Sequence, residues 1–262
     1  MNFMQITSRQ NDKIKHCAKL INGAKFRRET QTFVVEGIKI VKDLLKSKTE
    51  VTQTFISANF KHKNSDLVNE LAQNSAEIYV ISPDIFAKIS DTTTSQEVVC
   101  ICKMPKLPQN LCPNSKYILC ENLQDPANLG SIIRTANALN FGGIITINGA
   151  DIFSPKTIRA TMGAIFNVPI IQFEDAKSAI NAMKSANLKS YATVINNGED
   201  LTKTKFGNRG VILIGNEGNG LSDEITALAD YKITIQMAIS ADSLNAAAAA
   251  TIAMWEFAKG DI

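Results

Sequence analysis

Histidine is nearly absent from this 262-residue sequence: there are two, His16 and His62, both in the first half. A histidine base or histidine metal ligand is therefore excluded from the second half. Nowhere does the chain offer the roughly 18 consecutive uncharged apolar residues that a membrane-spanning helix needs, and no apolar run follows a basic start at its amino end. The expected setting is cytoplasmic, without membrane contact. The five cysteines are odd in number, and Cys100 and Cys102 stand too close for a structural bridge or for the C-x-x-C spacing of a zinc site. They are read as reduced core residues, and no metal site is expected. Internal repeats and low-complexity tracts are also missing.

What is present is an apolar fraction of 45%, which permits one large or two modest cores. The net charge of +3 hides an asymmetry: residues 1–110 hold 16 Lys+Arg against 11 Asp+Glu, and the remainder holds 12 against 14. Basic charge is densest from Arg9 to Arg28, where seven cations face only Asp12. That run suggests phosphate contact, with a solvated helix face as the alternative.

Taken in order, residues 8–20 read as an amphipathic helix, followed by a basic loop, AKFRRETQ. Strands are expected at 32–35, 51–57, 77–81 and 98–102, with helices at 38–45 and 65–74 and another starting at Pro83. Pro105, Pro108 and Pro113 mark a linker. It divides the chain into residues 1–108 and residues 115–262. In the second part a strand at 117–120 leads into a loop to Asn128 and a helix at 129–139. Strands to Ile147, at 168–173 and at 190–194 then alternate with helices at 155–162 and 176–186. This alternation implies an α/β domain with a mostly parallel sheet covered on both faces.

Val211 to Ile214 reads as a buried strand, and Gly215, Gly218 and Gly220 follow it within six positions. Such a loop lets a ligand approach the backbone closely. It holds Glu217 where a phosphate would sit and has no following lysine, so a phosphate cradle is disfavoured and an uncharged or cationic ligand suits it better. A short strand at 231–237, a turn at 240–245 and an alanine-rich helix at 246–258 come next, with Ser243 and Asn245 as candidate caps. Ligands of open parallel sheets sit at the carboxyl ends of the strands. There the loops deliver Asn122, Asp125, Asn128, Arg134, Thr193, Gly215, Glu217, Ser243 and Asn245. No nucleophile stands beside a base in this set, so a reaction that needs mainly positioning fits best.

D-P-A-N-L-G-S-I-I-R-T-A at 125–136, L-I-G-N-E-G-N-G at 213–220, and I-Q-M with S-L-N between 235 and 245 resemble the three signature motifs of the SpoU/TrmH family. That family, part of the SPOUT superfamily, consists of RNA ribose 2′-O-methyltransferases that use S-adenosylmethionine. F-V-V-E-G-I-K-I-V-K-D-L-L at 33–45 is similar to the RNA-binding domain that precedes the catalytic domain in ribosomal RNA members. The resemblance implies a small N-terminal α/β, L30e-like domain, a C-terminal SPOUT domain with a trefoil knot, and a homodimer. By motif position it assigns Thr193, Gly215, Ile235 and Leu244 to the cofactor. Asn128, Arg134, Glu217, Ser243 and Asn245 are assigned to catalysis. Gln236 and Ile239 depart from the family's usual proline and glycine, which puts the shape of that loop in question.

Ribosomal RNA is the expected substrate, with tRNA methylation or a non-enzymatic RNA-binding relative as alternatives. A dinucleotide-dependent oxidoreductase is a further reading, carried only by the glycine loops. Arg134 acts either as the catalytic base the family favours or as a forked grip on a phosphate; a bland alternative is that it merely caps or pairs with Glu217.

Overall fold

The computed structural model describes residues 3–92, 94–238 and 240–260. Two compact units emerge, one formed by residues 1–106 and 151–166 and the other by residues 107–150 and 167–262. In the first unit β1 (Met4–Ile6), α1 (Asp12–Asn22), α2 (Ala24–Thr30), β2 (Thr32–Glu36), α3 (Ile38–Lys46), β3 (Val51–Ser57), α4 (Ala58–Lys63), α5 (Ser65–Asn74), β4 (Ser75–Ile81), α6 (Pro83–Phe86) and β5 (Val98–Lys103) follow in sequence. The sheet order is β1-β4-β3-β5-β2, and only β5 runs antiparallel to its neighbours.

Alternation along these strands separates two cores. Val34, Phe55, Tyr79, Val99 and Ile101 face Ile14, Cys17 and Leu20 of α1. The residues between them, such as Val35, Ile56 and Cys100, turn to the opposite side, where α3 packs on β2 and β5 and against α5. Cys17, Cys100, Cys102 and Cys120 are buried free thiols, as the composition suggested. Cys112 departs from that expectation: it is exposed.

Two local expectations fail for identifiable reasons. The basic stretch after α1 is the helix α2 rather than a loop, since it contains no proline or internal glycine and is rich in good helix formers. The first helix starts at Asp12, not Ser8, because the Asn11 side chain caps it by accepting from Lys13 N. Nor are the cations of this region left facing one acid. Arg9 pairs with Asp84, Lys13 with Glu77, Lys15 with Asp12 and Lys25 with Glu29. Arg27 is buried; its Nε and Nη2 donate to Asp151 at 2.9 and 2.6 Å, and Nη1 donates to the Leu20 and Ile21 carbonyls.

The second unit is built from β6 (Lys116–Glu121), α7 (Pro126–Ala138), β7 (Gly143–Ile147), β8 (Ile170–Phe173), α9 (Ala176–Ser185), β9 (Ser190–Thr193), β10 (Glu199–Asp200), β11 (Gly210–Ile214), α10 (Asp223–Leu228), β12 (Tyr231–Thr234) and α11 (Ala246–Ala258). Its seven strands, ordered β10-β12-β9-β11-β6-β7-β8, are all parallel. The chain moves from β6 outward through β7 and β8, crosses to β9, and later inserts β11 between β9 and β6. Leu119, Ile145, Ala192 and Leu213 face α9 and α10, while α7 and α11 pack together on the other side. Among the described residues no helix is long and apolar enough to cross a membrane.

Between β7 and β8 the chain passes through Asp151–Phe166, which carries α8 (Pro155–Thr161) and a 3₁₀ turn and belongs to the first unit. There α8 packs on β2, and the Phe153 ring lies 4.9 Å from that of Phe33. Arg159 donates to Asp91 at 2.7 Å. The ion pair between buried Arg27 and part-buried Asp151 ties this excursion to α2. Because removing its partner strands the buried Arg27 guanidinium, Asp151→Ala is expected to destabilise the first unit by about 3–5 kcal/mol. Urea unfolding of the full chain measures this, and a loss below about 1 kcal/mol would match an exposed ion pair instead.

Candidate active site

Placing β11 beside β6 brings together the two loops that leave their carboxyl ends, and the site is built from that meeting. The first loop runs from Glu121 into α7. Its D-P sequence starts the helix earlier than expected: Asp125 accepts from Ala127 N at 3.0 Å and Pro126 fills the first helical position, where a missing N–H costs nothing. Asn128 thereby sits in the first turn of α7 rather than in a loop, and it is 7% exposed.

The second loop follows Ile214. Asn216 folds it by accepting from Gly218 N and Asn219 N at 2.9 and 3.1 Å, while its main chain exchanges two 2.9 Å hydrogen bonds with Gly220. Gly215 is required by close approach: a Cβ there would meet the Gly220 carbonyl carbon at 2.0 Å and Leu221 N at 2.1 Å.

The loops are joined by side chains. Glu217 Oε1 accepts from Asn128 Nδ2 at 2.9 Å and from Asp125 N at 3.1 Å, and Oε2 accepts from Gln124 N at 3.1 Å. Asn128 Oδ1 in turn accepts from Asn245 Nδ2 at 3.0 Å. Asn245 Oδ1 accepts from Ala247 N and Ala248 N, capping α11. Glu217, Asn128 and Asn245 thus form a continuous chain across all three signature segments. Burial works to raise the Glu217 carboxyl, but the hydrogen bonds from Asn128, Gln124 N and Asp125 N outweigh it and hold the group below its ordinary value. A carboxylate so stabilised is a fixed acceptor and a poor base.

Beside this chain lies a cavity of about 370 Å³, within the size range of small-molecule sites. Thr193, Gly215, Glu217, Ile235, Ser243 and Leu244 all line it. Thr193 Oγ1 also donates to the Leu213 carbonyl at 2.8 Å. β12 ends at Thr234, three residues short of the expected end, leaving Ile235 in the cavity wall. Among the described residues Asp242 and Glu217 are its charged residues, and no Lys, Arg or His contributes to the wall. Among the described residues no cluster of His, Cys, Asp or Glu could hold a metal ion.

Arg134 is not brought into this arrangement. It is exposed on α7, outside the cavity lining, with no hydrogen bond or ion pair among the described residues, so the pairing with Glu217 does not form. Six residues at about 1.5 Å of rise separate it from Asn128 along the helix. Gln236 is exposed and off the cavity wall, and Ile239 lies outside the described residues.

A model of the SpoU rRNA Methylase family matches residues 115–255. The chain belongs to this family. A second model, the MRM3-like substrate binding domain, matches residues 11–100. Over 252 residues the chain is 30% identical to the 23S rRNA (guanosine(2553)-2′-O)-methyltransferase RlmP of Bacillus subtilis, covering 96% of this chain and 98% of RlmP. An AdoMet-bound rRNA methyltransferase from Sinorhizobium meliloti superposes with a TM-score of 0.90 at 28% identity, covering 99% of each chain. The SpoU methyltransferase AviRb from Streptomyces viridochromogenes, in complex with AdoMet, gives 0.87 at 26% identity, covering 96% of this chain and 98% of AviRb. The expected SpoU architecture, an N-terminal α/β domain before a mostly parallel methyltransferase sheet, therefore holds.

Sequence reasoning in this SpoU chain missed Glu121, Asn216 and Asp242. Glu121 is 4% exposed and accepts from Ser222 N and Oγ at 2.8 and 2.7 Å, pinning the far end of the glycine loop. An asparagine opening a glycine-rich turn was a usable signal for Asn216; for Glu121 none existed, since its partner lies 101 positions away. Gly215→Ala is expected to force the loop apart and cost about 1–3 kcal/mol or more. The urea midpoint reads this directly, and an unchanged value would mean that the backbone approach at Gly215 is not needed.

Proposed function

We propose that this SpoU-family chain transfers a methyl group from S-adenosylmethionine to a ribose 2′-hydroxyl of RNA, and that its substrate is 23S ribosomal RNA. The observation that carries this reading is the character of the cavity. Its wall combines the close backbone turn at Gly215, apolar Ile235 and Leu244, and the carboxylates of Glu217 and Asp242, without a cation among the described residues. Such a wall repels a pyrophosphate and suits a sulfonium, which disfavours the dinucleotide reading. The residues present fit the cofactor: Gly215, Ile235 and Leu244 would hold it, with Thr193 at the end of β9. When bound, it supplies a methyl group on a sulfur that is already a good leaving group.

The chain's own task is then positioning. The Glu217–Asn128–Asn245 chain fixes the loops against each other, and Ser243 adds a hydroxyl to the same wall. A guanidinium keeps its proton in proteins, so Arg134 serves as a clamp rather than a base. Its unpaired fork grips a phosphate next to the target ribose and orients the hydroxyl. The hydroxyl proton passes to that phosphate or to water.

Ribosomal RNA is favoured over tRNA by the near full-length similarity to RlmP, whose name specifies 23S rRNA. This reading also includes a cytoplasmic homodimer and a knotted C-terminal segment. The dimer is supported by α11, whose outward Ile252 and Trp255 are 40% and 53% exposed. The knot is supported by α11 returning to pack on β11 and α7 after β12 has been laid down beyond β9.

A 2′-O-methyl group blocks alkaline cleavage of the next phosphodiester. RNA labelled by the protein with a radioactive methyl group is therefore expected to keep its label in alkali-resistant dinucleotides. Label released in mononucleotides would show base methylation and overturn the assignment. Arg134→Lys keeps the charge and loses the fork, so turnover should fall about 100-fold or more while calorimetry shows cofactor affinity within a few-fold; full activity would remove Arg134 from the mechanism.

A further inference from the structure

We infer that the first unit holds RNA through the outer face of α3, not through the cation-rich stretch from Arg9 to Arg28. The inference rests on the proposed RNA substrate and assigns the surface that meets it. Five of the seven cations between Arg9 and Arg28 already face carboxylates, and one of those five, Arg27, is buried. Of the other two, Lys19 lies over the Phe26 ring at 5.6 Å. Apart from Arg28, which is exposed and makes no ion pair among the described residues, the cations of this face have internal partners that an approaching phosphate would have to displace, so little net attraction is left.

The outward side of α3 has the opposite character. Lys39, Lys42 and Lys46 are spaced i, i+3 and i+7, which stacks them along one face of the helix over about 10 Å. All three are exposed, and none makes an ion pair or hydrogen bond among the described residues. The helix's inner face, Ile40, Val41 and Leu44, is buried, so the lysines cannot turn inward. Asp43, the acid of the helix, is four residues from Lys39 and three from Lys46, but its carboxylate lies beside the Gly163 turn and forms no ion pair with either lysine among the described residues.

The base of the row is also fixed. Gln96 Oε1 accepts from Ile38 N at 2.6 Å, capping α3 in place of the side chain that Gly37 lacks. Glu36, 5% exposed, accepts from the Ser90, Thr92 and Ser95 hydroxyls and from Asp91 N. These bonds anchor the loop that carries Gln96. Three free ammonium groups on a pinned helix form a charge row complementary to a phosphate backbone, whose counterions they would release on binding.

The test uses the full chain and unmodified 23S ribosomal RNA, with binding measured across a range of salt and methyl transfer followed in parallel. Lys39→Gln/Lys42→Gln/Lys46→Gln is expected to lower the log-log salt slope by about 0.7–0.9 for each phosphate no longer neutralised, or roughly 2–3 in all. Lys→Arg at the same positions should preserve the slope. Lys15→Gln/Lys19→Gln/Lys25→Gln, on the neutralised face, should change it by less than about 0.7. Cofactor affinity should be unaltered in every variant. A wild-type slope in the α3 glutamine variant, or a larger drop in the α1–α2 variant, overturns the inference. Turnover by the wild-type protein with an unchanged α3 slope rejects the α3 face alone. Absence of turnover alongside a reduced α3 slope rejects the methyltransferase reading alone, and absence of RNA binding rejects both.

Discussion

The Glu217 carboxylate is the point on which the active-site architecture depends. It lies in a glycine loop after β11 and accepts hydrogen bonds from the main chain before α7 and from Asn128 within it, groups about ninety residues away in sequence. Through Asn128 it reaches Asn245 and the start of α11. Three segments distant in the chain are thus held in one register by an anion that is stabilised in its charged form. A neutral residue at 217 would leave two main-chain donors and an amide competing for less acceptor capacity.

This constraint divides labour between charges. Glu217 and Asp242 line a wall without cations among the described residues, where a cationic ligand is favoured, while Arg134 stands outside on the exposed side of α7. If the guanidinium were paired with Glu217, both would be committed to structure. Keeping them apart leaves the carboxylate to organise the loops and the guanidinium exposed on α7 without an ion pair among the described residues.

The first unit uses charge in the reverse sense. Arg27 is buried and fully engaged by Asp151 and two carbonyls, binding an excursion from the second half of the sequence onto α2. Its role is cohesion. The linear density of positive charge between Arg9 and Arg28 gave no hint of this, because the neutralising acids lie elsewhere: Asp84 and Glu77 late in the same unit, Asp151 much further on.

Local patterns in the sequence determined most strands and helices, since apolar periodicity and capping act over a few residues; Val211 to Ile214, Ile38 to Leu45 and the alanine-rich last helix are read directly. Motif order also identified the family. Where neighbouring signals competed, as with D-P-A-N starting α7 earlier and the helical A-K-F-R-R-E-T taken for a loop, the boundary was misread. Only the tertiary structure decided that Asp151–Phe166 joins the first unit, that Glu121 pins Ser222, and that Arg134 stands apart from Glu217. Each of these turns on which distant groups meet. Such meetings depend on which strands become neighbours, and the insertion of β11 between β9 and β6 is a property of the sheet that no local stretch of sequence encodes.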